Sequence, residues 1–362
     1  MSTQHTRTET QMTQDPMTLC EILSQPRCWS ACLDALQRPG QFDHLRGRAN
    51  PASEWLFVGC GTSYYLAQSA AASFTALTRI PARAAPASEI MLFPEIAAPR
   101  SRELVPVLIS RSGRTSEVLQ ARRYLEEERG IRTLAITCDG NELGQLASWT
   151  LCLPVEEQST VMTSSFTSML MALQYLAAVL AGNQEFTAAL ERLPASLEKL
   201  LERYMTSLKS FLCDDSFDDF VFLGQGPFYG IASEGALKVT ESSCSYSQVF
   251  HTLEFRHGPK SIVSAQTLLT FMISERGYEA EVGVLEEMKQ LGGSTLAITN
   301  QADERLRNSA DFVIELDLPG PGLSRLCTYV VWAQLMGVYN AGHKGLDPDQ
   351  PRHLSRVVVL DS

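Results

Sequence analysis

Two short stretches of this 362-residue chain place hydroxyls and glycines together where an anion could be held. Ser110-Arg111-Ser112-Gly113-Arg114-Thr115 follows the apolar run Val107-Leu108-Ile109 directly and leads into a helical pattern from Ser116 to Glu128. Three hydroxyls beside a helix start are suitable donors to the oxygens of a phosphomonoester, and the helix end adds free N–H groups and a positive dipole. An N-cap with a turn accounts for one Ser or Thr, but not for three around a Gly and two Arg. Gly59-Cys60-Gly61-Thr62-Ser63 also turns a strand into a helix, although a lone Gly-x-Gly is weak evidence because many such turns serve packing alone. A third cluster, Thr160, Thr163, Ser164, Ser165, Thr167 and Ser168, precedes a helix from Met169, where capping explains the hydroxyls as well as ligand binding does. Glu234, Lys238 and Glu241 are spaced i, i+4 and i+7 and so share one helix face, a pattern that a solvated salt-bridge stripe also has.

The elements that must position these residues occur twice. Trp55-Leu56-Phe57-Val58-Gly59-Cys60-Gly61 is repeated by Phe220-Val221-Phe222-Leu223-Gly224-Gln225-Gly226. Val107-Leu108-Ile109-Ser110 is matched by Phe271-Met272-Ile273-Ser274, and Thr133-Leu134-Ala135-Ile136-Thr137 recurs identically from Thr295 to Thr299. Matched strands in one order at a nearly constant offset mark an internal duplication. In the first copy, apolar strands near 55–58, 105–109, 133–137 and 150–153 alternate with helical segments and show no in/out alternation. That pattern predicts a parallel sheet covered on both faces, with any ligand site at the strand carboxyl ends. The fold class is α/β, with two tandem doubly wound units. The boundaries expected are a flexible tail over 1–16, a first unit over 17–185 that binds phosphate, a helical linker over 186–215 and a second unit over 216–362 with a C-terminal tail. The second copy has largely lost the hydroxyls: Gln225-Gly226-Pro227-Phe228 and Ser274-Glu275-Arg276-Gly277 carry fewer, and Glu275 would repel phosphate.

Composition narrows the partners. A net charge of −11 without a long basic stretch argues against nucleic acid. No apolar run reaches the roughly 20 residues of a membrane helix, and the polar start lacks the apolar core of a secretory signal. Nine cysteines, none in a Cys-x-x-Cys pair, fit reduced and mostly buried thiols in a cytoplasm. Scattered His and Cys predict neither a metal nor a cofactor.

These residues resemble the tandem form of the SIS (sugar isomerase) family over about residues 20–362. Ser110 to Thr115 looks like the family's SxSGxT phosphate loop, and Cys60-Gly61-Thr62-Ser63 matches its first turn. Ser233-Glu234-Gly235-Ala236-Leu237-Lys238 with Glu241 resembles the EGALKxxE helix of the isomerase half of glucosamine-6-phosphate synthase. Glu254-Phe255-Arg256-His257-Gly258-Pro259 resembles its ExxHGP segment, and Lys344 to Leu354 its closing KGxDxDQPRxL tail. Residue 2 is Ser2 where the synthase's glutaminase domain has a nucleophilic cysteine, so no glutamine-derived ammonia is expected. Arg356 stands where the synthase has its Schiff-base lysine, and an arginine stays protonated and forms no imine. The tandem layout, together with Met162 to Thr167, is closer to the stand-alone deaminases and isomerases of amino-sugar phosphates.

The resemblance implies a phosphosugar enzyme, with deamination of an amino-hexose 6-phosphate as its most specific form. Its phosphate and substrate contacts would be Cys60, Gly61, Thr62, Ser63, Ser110, Arg111, Ser112, Gly113, Thr115, Val161, Thr163, Lys238 and Arg356. Glu241 would be the base that moves a proton between C1 and C2, and His257 would open the sugar ring. Lys344 could also reach the substrate. The matching histidine of the synthase crosses a subunit interface, which implies a homodimer with shared active sites. A plain isomerase, a deglycase for N-substituted sugar phosphates and a sensor that binds without turnover are the alternatives.

Overall fold

Neighbouring strands that run parallel cannot be joined by a tight hairpin, so each must be followed by a crossover connection, usually a helix. The computed structural model, which describes residues 15–99, 103–214 and 217–360, shows this arrangement twice. The first copy runs α1 (Met17–Leu23), α2 (Gln25–Leu36), α3 (Asp43–Arg46), β1 (Ser53–Gly59), α4 (Thr62–Thr78), β2 (Ala82–Pro86), α5 (Ala87–Leu92) and α6 (Pro94–Ala97). It continues through β3 (Glu103–Ile109), α7 (Ser116–Arg123), β4 (Leu134–Thr137), α8 (Glu142–Leu146), β5 (Trp149–Cys152) and α9 (Ser164–Ala181). The long α10 (Gln184–Asp214) leads to β6 (Asp219–Gly224), α11 (Pro227–Ser243), β7 (Tyr246–Phe250), β8 (Thr267–Met272), α12 (Tyr278–Gln290), β9 (Ser294–Thr299), α13 (Glu304–Ser309), β10 (Phe312–Glu315) and α14 (Leu326–His343).

Both sheets are parallel and five-stranded, in the orders β2-β1-β3-β4-β5 and β10-β9-β8-β6-β7. Read from the other edge, the second order is the first with its strands renumbered, so the duplication seen in the sequence is a duplication of topology. In each sheet the order reverses next to its first strand, between β1 and β3 and between β6 and β8. That crevice at the carboxyl ends is where open α/β sheets bind ligands. The edge strands β2 and β7 were not anticipated: Ala82-Arg83-Ala84-Ala85-Pro86 lacks β-branched residues, and its Pro is tolerated because it lies at the sheet edge.

One core joins the two copies. Trp55, Phe57 and Phe74 belong to the same buried cluster as Phe222, Ile231 and Trp332, with α9 running through it. Separate clusters back the outer face of each sheet. Helix α9 is long and apolar enough to cross a membrane, contrary to the sequence expectation, but its residues are almost all buried inside the protein. The cysteines also depart from expectation: Cys32 and Cys327 are buried, whereas Cys20, Cys152 and Cys244 are exposed and the others are part-exposed. Most of the tail expected over 1–16 lies outside the described residues.

Candidate active site

The first switch point is shaped by two turns. At Gly61, φ is +51, and at Gly113 it is +64, backbone conformations that a side chain disfavours. The first turn starts α4 at Thr62, and the second lets Gly113 N donate to Ser110 Oγ at 3.2 Å while Ser110 Oγ and Thr115 Oγ1 lie 3.2 Å apart. Between these turns is a cavity of about 190 Å³, lined by Cys60, Gly61, Thr62, Ser63, Ser110, Arg111, Ser112 and Thr115 from the first copy and Glu241 from the second. Glu117, Thr160 and Met162, with Ser355, Arg356, Val357 and Val358 of the C-terminal tail, complete its wall. Burial, chiefly, with Glu117 nearby, pushes the Cys60 thiol up to about 11, so it is not a ready nucleophile.

Glu241 reaches this cavity because α11 packs against α4. The two helices approach so closely at Gly230 that a Cβ there would lie 2.5 Å from Tyr65 O. Ser69 Oγ donates to Pro227 O at 2.8 Å across the same crossing. Lys238, buried behind the site, donates from Nζ to Thr62 Oγ1 at 3.2 Å and to Glu241 Oε2 at 2.5 Å, and its ammonium lies 3.2 Å from Glu234 Oε1. The i, i+4, i+7 face is therefore a buried charge cluster and not a solvated stripe. Two carboxylates share one ammonium. Burial first, and the Glu241 charge second, raise Glu234 to about 8 against the opposing pull of Lys238. A proton on Glu234 leaves Lys238 and Glu241 as a compensated pair.

Other residues singled out in the sequence are placed differently. Arg111 lines the cavity, but its guanidinium is occupied elsewhere: Nη1 donates to Glu157 Oε2 at 2.7 Å and to Ser159 O at 3.0 Å, and Nη2 to Thr160 O and Arg356 O. Thr163 and Val161 are buried outside the lining, and Thr163 gives both N and Oγ1 to Glu157 Oε1, at 2.8 and 3.0 Å. Ser164 and Ser165 also donate to Glu157, so much of the third hydroxyl cluster solvates a buried carboxylate. Burial pushes Glu157 up, but Arg111 and these donors outweigh it and hold the group below the usual carboxylate range. Lys344 Nζ donates to Ser245 Oγ at 3.0 Å, away from this cavity. His257 is exposed on the loop after β7 and is not part of the lining.

Glu157 and Glu117 were not identified from sequence. Glu117 lines the cavity from the first turn of the helix after the hydroxyl loop, a place legible in principle from the loop–helix pattern. Glu157 follows β5 in a polar stretch with no local signature. It accepts Arg111 Nη1, and its carbonyl oxygen accepts Arg356 Nη2, which together fasten the tail at the cavity mouth. Beyond Arg356, Ser116 N donates to Val358 O and Leu360 N donates to Ser116 Oγ.

Comparison with known proteins gives consistent matches. The chain is 28% identical over 359 residues to the glutamine–fructose-6-phosphate aminotransferase [isomerizing] of Methanothermobacter thermautotrophicus, covering 96% of this chain but 56% of that protein. The chain thus spans little more than half the length of that relative. A glucosamine-6-phosphate deaminase from Thermotoga maritima is 30% identical with a TM-score of 0.76, covering 95% of this chain and 100% of that one. The C-terminal domain of the Francisella tularensis glucosamine-fructose-6-phosphate aminotransferase shares the fold, with a TM-score of 0.83 at 24% identity over 95% of this chain and 100% of that one. The SIS domain profile matches residues 51–179 and again 218–339, each match holding one of the two parallel sheets, and the chain belongs to the SIS domain family.

Proposed function

We propose that the chain catalyses aldose–ketose isomerisation of an amino-hexose 6-phosphate, with glucosamine 6-phosphate converted to fructose 6-phosphate and ammonia as the net reaction. The family and its phosphosugar relatives support phosphosugar isomerase chemistry, and the deaminase from Thermotoga maritima supports the finer reading. One observation carries it: a carboxylate from the second copy, Glu241, lines the same small cavity as Ser110, Ser112 and Thr115 of the first. The hydroxyls and the turn at Thr62–Ser63 receive the phosphoryl group. In the open-chain sugar, Glu241 takes the proton from C2 and returns it to C1 through an enolamine. The resulting imine at C2 consumes one water, releasing ammonia and leaving the ketose. Lys238 holds Glu241 and Thr62 in register. Arg356, with its guanidinium on Glu157, serves as a fixed charge and tail anchor and not as an imine former. His257, exposed on its own chain, opens the ring in a site completed by a second copy, in a cytoplasmic homodimer.

The test is an assay of ammonia and fructose 6-phosphate on adding glucosamine 6-phosphate, alongside glucose 6-phosphate and an N-substituted fructosamine 6-phosphate. Glu241→Gln is expected to lower turnover by at least about 100-fold, the usual scale of a lost general base, while fructose 6-phosphate still binds. Retained turnover in that variant would overturn the assignment of Glu241. Isomerisation without ammonia, release of an amino acid, or binding without turnover would each replace the deaminase reading by the corresponding alternative.

A further inference from the structure

Two segments outside the matched SIS regions, 51–179 and 218–339, meet beside the first cavity. One is helix α1, and the other is the tail that follows α14. Asp349 of the tail gives its carboxylate to the start of α1: Oδ2 accepts from Met17 N at 2.6 Å, and Oδ1 accepts from Thr18 N at 2.7 Å and from Thr18 Oγ1 at 2.6 Å. A carboxylate that takes up the first free N–H groups of a helix makes charge-assisted bonds at the favourable end of its dipole. One turn on, Glu21 is spent on a different segment. Its carboxylate, on a residue 8% exposed, accepts from Gln158 N and, at 3.2 Å, from Ser159 N.

The segment that Glu21 holds is the one that clasps Arg356. Ser159 O and Thr160 O accept from Arg111, Arg111 Nη2 donates to Arg356 O, and Arg356 Nη2 donates to Glu157 O. Thr160 and Ser355 to Val358 line the cavity, whereas no residue of α1 does. The tail has little else to fix it there. Leu354, Val358, Val359 and Leu360 are all exposed, so its last part is held by polar bonds and not by burial of its apolar side chains.

We infer that Glu21 and Asp349 are positioning residues for the proposed reaction: α1 brackets the tail to the segment over 157–160 and so sets the wall that Thr160 and Arg356 give the cavity. Neither carboxylate touches the substrate. Both act through Arg356 and Thr160, and their effect on the substrate rests on the reading of that cavity as a phosphosugar site. Loosening either end of the bracket widens the cavity and weakens its hold on the phosphosugar, while Glu241, Lys238 and the hydroxyl loop stay in place.

The test compares Glu21→Leu and Asp349→Ala with Glu21→Gln and Asp349→Asn, which keep an acceptor oxygen. Trypsin cleavage of the full chain after Arg352 and Arg356 is followed by mass spectrometry, and cleavage after Lys199, within α10, gauges general unfolding. Glu21→Leu and Asp349→Ala are expected to be cut about tenfold faster in the tail with Lys199 unchanged, because the main-chain donors of α1 and of 158–159 lose their acceptors. KM for glucosamine 6-phosphate is expected to rise about tenfold while kcat stays within about threefold, the mark of lost binding and not of a lost base. Glu21→Gln and Asp349→Asn should recover most of both effects. Asp349 is part-exposed, and its variants carry the test if Glu21→Leu does not fold. Calorimetric titration with fructose 6-phosphate reads the same loss of affinity without turnover. Unchanged tail cleavage, cleavage that rises equally after Lys199, or unchanged KM and affinity with a freed tail would each overturn the assignment. A wild-type chain that binds neither phosphosugar would remove the phosphosugar reading and the effect on KM with it, and tail cleavage then decides the bracket by itself.

Discussion

Arg111 and Glu157 form an ion pair almost wholly shut off from solvent, with side chains 6% and 1% exposed. Such a pair contributes little over an apolar replacement, but removing one partner strands the other charge. Arg111→Leu is therefore expected to cost about 3–5 kcal/mol in urea unfolding and to free the tail for faster trypsin cleavage around Arg356, while adding Glu157→Gln restores part of the loss. Glu234 works in the opposite electrostatic sense. Its pKa rises from an ordinary 4.5 to about 8 in the folded chain, so between those values the folded state keeps a proton that the unfolded state releases. The stabilisation from this group is thus complete at the acid end and is lost as pH rises through about 8, with a slope of at most about 1.4 kcal/mol per pH unit. Glu234→Gln is expected to flatten that part of the melting-temperature profile against pH; an unchanged slope would show that Glu234 is ionised throughout.

At the level of elements, the site depends on one helix crossing. Helix α4 begins at the phosphate-type turn and α11 carries Glu234, Lys238 and Glu241, so the spacing of the two helices sets the distance between the hydroxyls and the base. Gly230 lets them meet, since a Cβ there would lie 2.4 Å from Ser69 Oγ and 2.5 Å from Tyr65 O. Gly230→Ala is expected to destabilise the chain by about 1–3 kcal/mol, as overpacking does, despite the better helix propensity of alanine. It should also raise KM for the phosphosugar, because Thr62 and Lys238 move apart. A stable variant with wild-type KM would show that the crossing has room to give. The duplicated strands were legible here because each is a contiguous, mainly apolar run that recurs in the same order, the first pair closed by Gly-x-Gly. The edge strands were not, since alanine-rich β2 is held by pairing with β1 and not by its own propensity.

For the whole molecule, the proposal predicts that one chain does not make a complete site. Mixing Glu241→Gln with His257→Ala chains, each inactive alone, is expected to recover about a quarter of the wild-type activity, since half the random dimers are mixed and each holds one intact site. No recovery, with mixed dimers shown to form, would place His257 in its own chain's site or outside catalysis. The sequence by itself determined the duplication, the parallel α/β class, the hydroxyl loop and the helix face of Glu234, Lys238 and Glu241, because each of these is written in neighbouring residues or in a fixed period. Only the tertiary structure decided that Lys238 ties Thr62 to Glu241, that Glu157 takes up the third hydroxyl cluster, and that the tail is pinned across the cavity mouth. Apart from the Glu157 cluster, whose partners lie six to eight positions away but in an irregular segment with no period to read, those features join residues tens to hundreds of positions apart, and a contact of that kind leaves no local pattern.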